Sequence, residues 1–182
     1  MTPLDRAFYS REPAAVARGL LGKRLARKID GITMSGVIIE TEAYGSSDDP
    51  ASHAHRGMTG RNRAMFGEVG RAYVYFTYGM HYCMNVVARR GRSDAGAVLI
   101  RAIRPELGAA QMSKNRNGRA AISDGPAKLT QAMRISAEQY GEDLTRRGAL
   151  YIAEGPRIRS ITASPRVGIR RGTDLLWNFK VK

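Results

Sequence analysis

The segment from Arg71 to Ala88 constrains the fold most, because two strand-like runs, YVYFT and MHYCMNVVA, flank Tyr78-Gly79. Glycine takes up positive φ without a Cβ clash and so suits a tight reversal between antiparallel strands. The same punctuation recurs at Asp30-Gly31, which separates two extended runs and predicts a second hairpin. Val37 to Tyr44 (VIIETEAY) is β-branched and aromatic, and Ala97 to Ile103 (AVLIRAI) is apolar enough for a buried strand. Leu150, Ile152, Val167 and Ile169 mark further short strands. Helices are few. Pro13 suits a first helical turn, and Val16, Leu20 and Leu21 follow at helical spacing before Gly22 ends the run. Asp124-Gly125-Pro126 precedes Leu129, Ala132 and Met133 at i, i+3 and i+4, so a capped helix begins close to Pro126. Ser113 to Ala121 (SKNRNGRAA) reads as a basic surface loop. No repeat period and no Gly/Ser/Pro linker divides the chain. The expectation is an α+β fold, one domain over residues 1–182, with a mostly antiparallel sheet and surrounding helices but no βαβ rhythm.

Charge narrows the partner. The 182 residues hold 30 Lys+Arg against 16 Asp+Glu, a formal net charge of +14. With 43% hydrophobic residues and 7 prolines the chain can bury a core, which excludes a disordered basic tail. Nucleic acid, an anionic membrane surface or an acidic protein would absorb the surplus, and composition slightly favours nucleic acid. Cys83 is the single cysteine, so no disulfide can form within one chain and residence inside the cell is the default. The first 25 residues carry charges throughout, without the unbroken apolar run of a signal peptide or membrane span. A soluble, cytoplasmic protein is expected.

Strand alternation puts Ile38, Glu40, Glu42 and Tyr44 on one face and Val37, Ile39, Thr41 and Ala43 on the other. A carboxylate two positions from an aromatic, roughly 6.6–7 Å along a strand, is the spacing at which a ring can hold a flat substrate above a general base. A solvated strand edge is the plainer alternative. Arg101 interrupts AVLIRAI on the face of Ala97, Leu99 and Ile103, and a buried guanidinium needs a carboxylate, for which Glu40 and Glu42 are the candidates. Such a pair is either a structural ion pair or a means of keeping the carboxylate ionised. His53 and His55, beside Asp48 and Asp49, superficially resemble a metal site, but the only other histidine is His81 and no H-E-x-x-H helix is present. Half of the 8 tyrosines, Tyr73, Tyr75, Tyr78 and Tyr82, fall within ten residues. Tyr78 beside the turn glycine gains little from burial, so an exposed aromatic wedge set against a nucleic-acid stack is expected there.

These residues resemble a known family. VIIETEAYGSSDDPASHAHRG, RNRAMFGEVGRAYVYFTYGMHYCMNVV, AVLIRAIRP, DGPAKLTQAM and RVGI follow, from about Gly22 to Ile169, the order of the alkyladenine (3-methyladenine) DNA glycosylases of the mammalian type. The resemblance implies a monofunctional glycosylase without lyase activity. It acts as a monomer on double-stranded DNA containing damaged purines, with no cofactor, metal or membrane, and is nucleoid-associated if bacterial. It implies that Glu42 activates the attacking water with Arg101, that Tyr44, His53 and Tyr75 hold the extruded base, and that Asn85 crowds the purine 2-position. It assigns to Val167 a main-chain contact with the same water, and to Tyr78, on a protruding hairpin, insertion into the gap left in the DNA. Glu40 becomes structural, and the metal reading of the histidines is dropped. Four departures stand out: Gly60 where the family often has proline, a segment from His53 to Asn62 one residue shorter than in the mammalian form, His81 in place of an aromatic, and an end at DLLWNFKVK where many relatives continue. Two rivals from other classes are a non-catalytic module that binds distorted DNA and a metal-dependent nuclease using Glu40, Glu42 and the histidines.

Overall fold

Asp30 and Gly31 adopt φ of 51° and 74°, Tyr78 and Gly79 φ of 50° and 66°, and each pair reverses the chain between antiparallel strands. The computed structural model describes residues 1–91 and 95–182. In chain order it contains α1 (Arg6–Tyr9), α2 (Pro13–Leu20), β1 (Arg24–Ile29), β2 (Ile32–Tyr44), a 3-10 turn (Arg63–Phe66), β3 (Ala72–Thr77), β4 (His81–Val87) and β5 (Ala97–Leu107). There follow α3 (Ala109–Asn115), α4 (Pro126–Ala132), a 3-10 turn (Ala137–Gln139), β6 (Leu150–Ala153), β7 (Ile161–Ser164) and β8 (Asn178–Val181). The strands form one sheet in the order β3-β4-β5-β2-β1-β6, with β8 paired to both β2 and β7. Every named strand pair is antiparallel.

The long strand β2 organises the sheet. One edge pairs with β5 along most of its length, while the other pairs first with β1 (Ile32 to Val37) and then with β8 (Glu40 to Glu42). Between these halves the register slips: Ile38 pairs with Ile103, Glu40 with Ala102 and Thr41 with Ile100, leaving Ile39 and Arg101 each unmatched. Bulges of this kind re-aim side chains. Here they turn Ile38 and Ile103 into the main core with Met34, Ala43, Val98 and Ile100. The strict alternation expected for VIIETEAY and AVLIRAI is thus corrected, since Ile38 leaves the face of Glu40 and Glu42, and Ile103 leaves the face of Arg101.

That main core fills the space between the sheet and helices α2 and α4, with Val16, Leu20, Leu129, Met133 and Phe179 all buried. A second, smaller cluster on the opposite face joins Ala54, Met65, Tyr73, Val87 and Ala97 beneath the segment that follows β2. Other expectations also need correction. Ser113–Asn115 close a helix, because Met112 is fully buried and Asn115 Nδ2 donates to the Ala132 carbonyl at 2.7 Å. Val167 and Ile169 lie in a turn, and the strands of that region are β7 and β8. The helix at Pro126 has Gly125 at its N-cap without a side-chain cap, and Asp124 instead pairs with Lys128 at 3.0 Å.

Candidate active site

Period-two geometry carries the side chains of one sheet face to a common place. Tyr73 and Tyr75 from β3, Asn85 from β4 and Ala97 from β5 join Tyr44 at the end of β2. Two connections complete the walls, the segment after β2 with Ala51 and His53, and the turn after β7 with Val167, Gly168 and Ile169. Together with Tyr78 these residues line a cavity of about 220 Å³. That is smaller than the roughly 300–1,000 Å³ of drug-sized ligand sites and is on the scale of one flat aromatic group.

The carboxylate of Glu42 lies behind this wall, fully shielded from solvent. Its Oε1 accepts from the Val167 N–H at 2.7 Å and from Asn178 Nδ2 at 3.0 Å. Its Oε2 accepts from the Tyr44 hydroxyl at 2.9 Å and from Arg101 Nη1 at 3.3 Å. Arg101 also reaches Glu40 through Nε at 2.8 Å, as the pattern of apolar strand and buried cation requires. Burial first, then the neighbouring Glu42 charge, raise the pKa of Tyr44, so its hydroxyl stays a donor. Burial likewise holds Tyr75 in its neutral form.

His53 packs edge-on against Tyr75 with ring centroids 4.7 Å apart, and its Nδ1 meets the Tyr73 hydroxyl at 2.8 Å. Desolvation, reinforced by the Arg61 cation, lowers its pKa and favours the neutral ring. Asn85 is buried and held by Nδ2 donating to the Tyr73 carbonyl at 2.9 Å. At the hairpin tip Tyr78 is 87% exposed, flanked by exposed Phe76 and Met80. Tyr73, by contrast, is core, so only one of the four clustered tyrosines fits the exposed wedge.

The His-x-His segment splits up. His55 bonds to the Ser47 carbonyl at 2.7 Å, and Asp49 is committed to Arg166 through contacts of 2.6 and 2.8 Å. Among the described residues no group of three or more His, Cys, Asp or Glu side chains is placed to hold a metal ion.

Two residues that the sequence reading passed over are central. Arg166, one residue before Val167, is fully buried in its bond to Asp49, lies 4.8 Å from the Tyr44 ring centroid, and also bonds the Ala43 carbonyl at 3.0 Å. It ties the His53 wall to the Val167 wall and backs the aromatic ring between them. Its place as the first residue of the quoted RVGI motif was the available signal. Asn178 had none, being a lone amide in WNFKV that reaches Glu42 only because β8 pairs with β2.

Comparison with known proteins follows the same residues. The profile of the methylpurine-DNA glycosylase family matches residues 7–182. A protein of Carboxydothermus hydrogenoformans is 46% identical over 184 residues, covering 98% of this chain and 95% of its own. One from Methanocella arvoryzae is 44% identical over 185 residues (98% and 92%), and one from Prosthecochloris aestuarii 48% over 177 residues (94% and 84%). All three carry the provisional name 3-methyladenine DNA glycosylase. The expected likeness to the mammalian type therefore stands at the level of the family, and the sources of these relatives are microbial.

Proposed function

The chain belongs to the methylpurine-DNA glycosylase family, and on that premise we propose that it is a monofunctional DNA glycosylase of base-excision repair. It hydrolyses the N-glycosidic bond of alkylated or deaminated purines of the 3-methyladenine, hypoxanthine and ethenoadenine class, as a single-domain monomer on duplex DNA in the cytoplasm or nucleoid. Among the described residues no helix is long and apolar enough to cross a membrane. The observation that carries the reading is a buried carboxylate, ringed by donors, behind a base-sized aromatic cavity with an exposed tyrosine at its rim.

Turning a nucleotide out of the stack costs a few kcal/mol, least where damage has already weakened pairing. Tyr78 fills the gap, and the base stacks between Tyr44 and the His53–Tyr75 pair while Asn85, rigidly held, crowds the purine 2-position. As the glycosidic bond lengthens, positive charge grows on the sugar, and Glu42 stabilises that charge and takes the proton of the attacking water. A carboxylate has about four acceptor positions, and all four are filled here. Arg101 and Asn178 are also tied to Glu40. The donor that yields to water is therefore one of the two facing the cavity, the Tyr44 hydroxyl or the Val167 N–H. Among the described residues no lysine lines the cavity, and the proposed reaction is hydrolysis without a lyase step.

The filled acceptor set also favours one other reading, a module that binds damaged DNA without cutting and in which Glu42 is structural. Duplexes carrying a single methylated purine, hypoxanthine or ethenoadenine separate the two. The glycosylase makes them alkali-labile at the lesion in the presence of EDTA, whereas binding without release of a base decides for the module.

A further inference from the structure

We propose that Asn178 is a positioning residue for the catalytic carboxylate, a role that rests on the glycosylase reading above. Glu40 and Glu42 are like charges two residues apart on one strand face, and Arg101, partly buried, is among the described residues the one cation bonded to both. Two carboxylates and one guanidinium leave a surplus of one negative charge. Lys180 approaches only Glu40, at 4.0 Å, with a largely exposed side chain. Asn178 supplies the missing donor. Its Nδ2 forks between Glu40 Oε1 at 2.9 Å and Glu42 Oε1 at 3.0 Å, in a residue that is only 4% exposed. The orientation of the amide is dictated, because ionised carboxylates only accept hydrogen bonds and the NH₂ group must face them. Ser164 Oγ, 3.5 Å away, donates to the amide oxygen on the far side.

The consequence is chemical. A neutral amide stabilises the ionised form of Glu42 through a directed bond without cancelling its charge, as a second cation would. That surplus negative charge faces the cationic sugar in the transition state. Asn178 and Arg101 grip opposite oxygens of Glu42 while sharing Glu40 as a brace, so the carboxylate keeps its orientation when a cavity-side donor yields to water. The strand pairing makes this possible, since Asn178 stands opposite Glu42 only where β2 has left β1 and taken β8 as its neighbour.

The groups facing Glu42 are Glu40 and Tyr44 on its own strand, Arg101 on β5, Cys83 on β4, and Asn178 on β8, with Lys180 beyond Glu40. Removing the amide donor takes away one of the two braces on the carboxylate, so the deficit falls on the chemical step and not on binding. The test is single-turnover base release with lesion-duplex affinity measured in parallel. Asn178→Ala should lower the rate roughly 10- to 100-fold at neutral pH, the worth of a hydrogen bond to a charged group, while its affinity changes less than threefold. Asn178→Asp, which places an acceptor where the donor stood, should lose more. Phe179→Leu loosens the packing of the same strand without touching the carboxylates, and should lower the Tm while leaving the rate of base release in place. If both Asn178 variants match the wild-type rate, or if Phe179→Leu lowers the rate as they do, the positioning role is overturned and the glycosylase reading survives. A wild-type protein that releases no base overturns both.

Discussion

Glu42 holds four hydrogen bonds on two oxygens, and each oxygen has one donor from the cavity wall and one from the brace behind it. Exchanging that carboxylate for an amide keeps the shape but puts an NH₂ group opposite two donors and removes the base. Glu42→Gln should therefore reduce base release by at least about 100- to 10,000-fold, the usual contribution of a general base. Affinity for a lesion duplex should stay within a few-fold, because the proposed stacking of the base rests on Tyr44, His53 and Tyr75 and not on Glu42. Undiminished turnover would remove Glu42 from the mechanism. At this scale the sequence was partly legible. That Arg101 would meet Glu40 or Glu42 followed from a cation inside an apolar strand, since such a group must find a carboxylate, and the structure bonds it to both. Asn178 was invisible for the opposite reason: a single neutral amide has no charge or periodicity to betray its partner, and 136 residues separate it from Glu42.

The elements that deliver these residues carry their own strain and their own fastenings. Tyr78 sits in the left-handed region at φ 50°, uncommon for a bulky residue, and is almost wholly exposed. Tyr78→Gly should leave the protein as stable as before, or more stable by about 1 kcal/mol since a left-handed conformation costs a non-glycine residue roughly 1–2 kcal/mol, while weakening capture of an extruded ethenoadenine in a fluorescence assay. A large fall in Tm would contradict that account of the turn. Behind the cavity, the Arg166–Asp49 clasp works differently. Burial alone would raise the pKa of Asp49, but the hydrogen bond from Arg166, those from the Gly45 and Ala51 N–H groups and the Arg166 charge bring it below the ordinary 3.8. A carboxyl depressed on folding adds stability above its unfolded value of 3.8 and loses it as pH falls through the folded value. Asp49→Ala, which strands a buried guanidinium, should cost about 3–5 kcal/mol. It should also flatten the acid limb of a Tm-against-pH curve. The hairpins and β2 could be read from turn dipeptides and β-branched runs, whereas the bulge at Ile39 and Arg101 could not. It arises from the pairing of two distant strands and overrode the alternation expected for Ile38 and Ile103.

Across the whole molecule, a charge of +14 accompanies a cavity wall of five aromatic rings among otherwise small, apolar or amide side chains, none of them Lys, Arg, Asp or Glu. The division implies that affinity for DNA is largely electrostatic and that discrimination is local. Binding to undamaged duplex should then fall steeply with salt, by about 10³–10⁵ between 50 and 200 mM if 6–10 phosphates are contacted, and anisotropy titrations at several salt concentrations would measure the slope. A shallow slope would mean that the basic surface is not the DNA face. By itself the sequence determined the antiparallel α+β character, the two turns, the aromatic hairpin tip and the kinship of the chain, because propensity, charge and motif order are local or additive properties. Only the tertiary structure decided how the carboxylate is bonded, and that Asn178 is among its partners. Glu42, Arg101, Val167 and Asn178 come from four separate segments, and their bonds depend on a slipped strand register and a shared strand edge. These are properties of how distant parts of the chain pack, and no window of the sequence contains them.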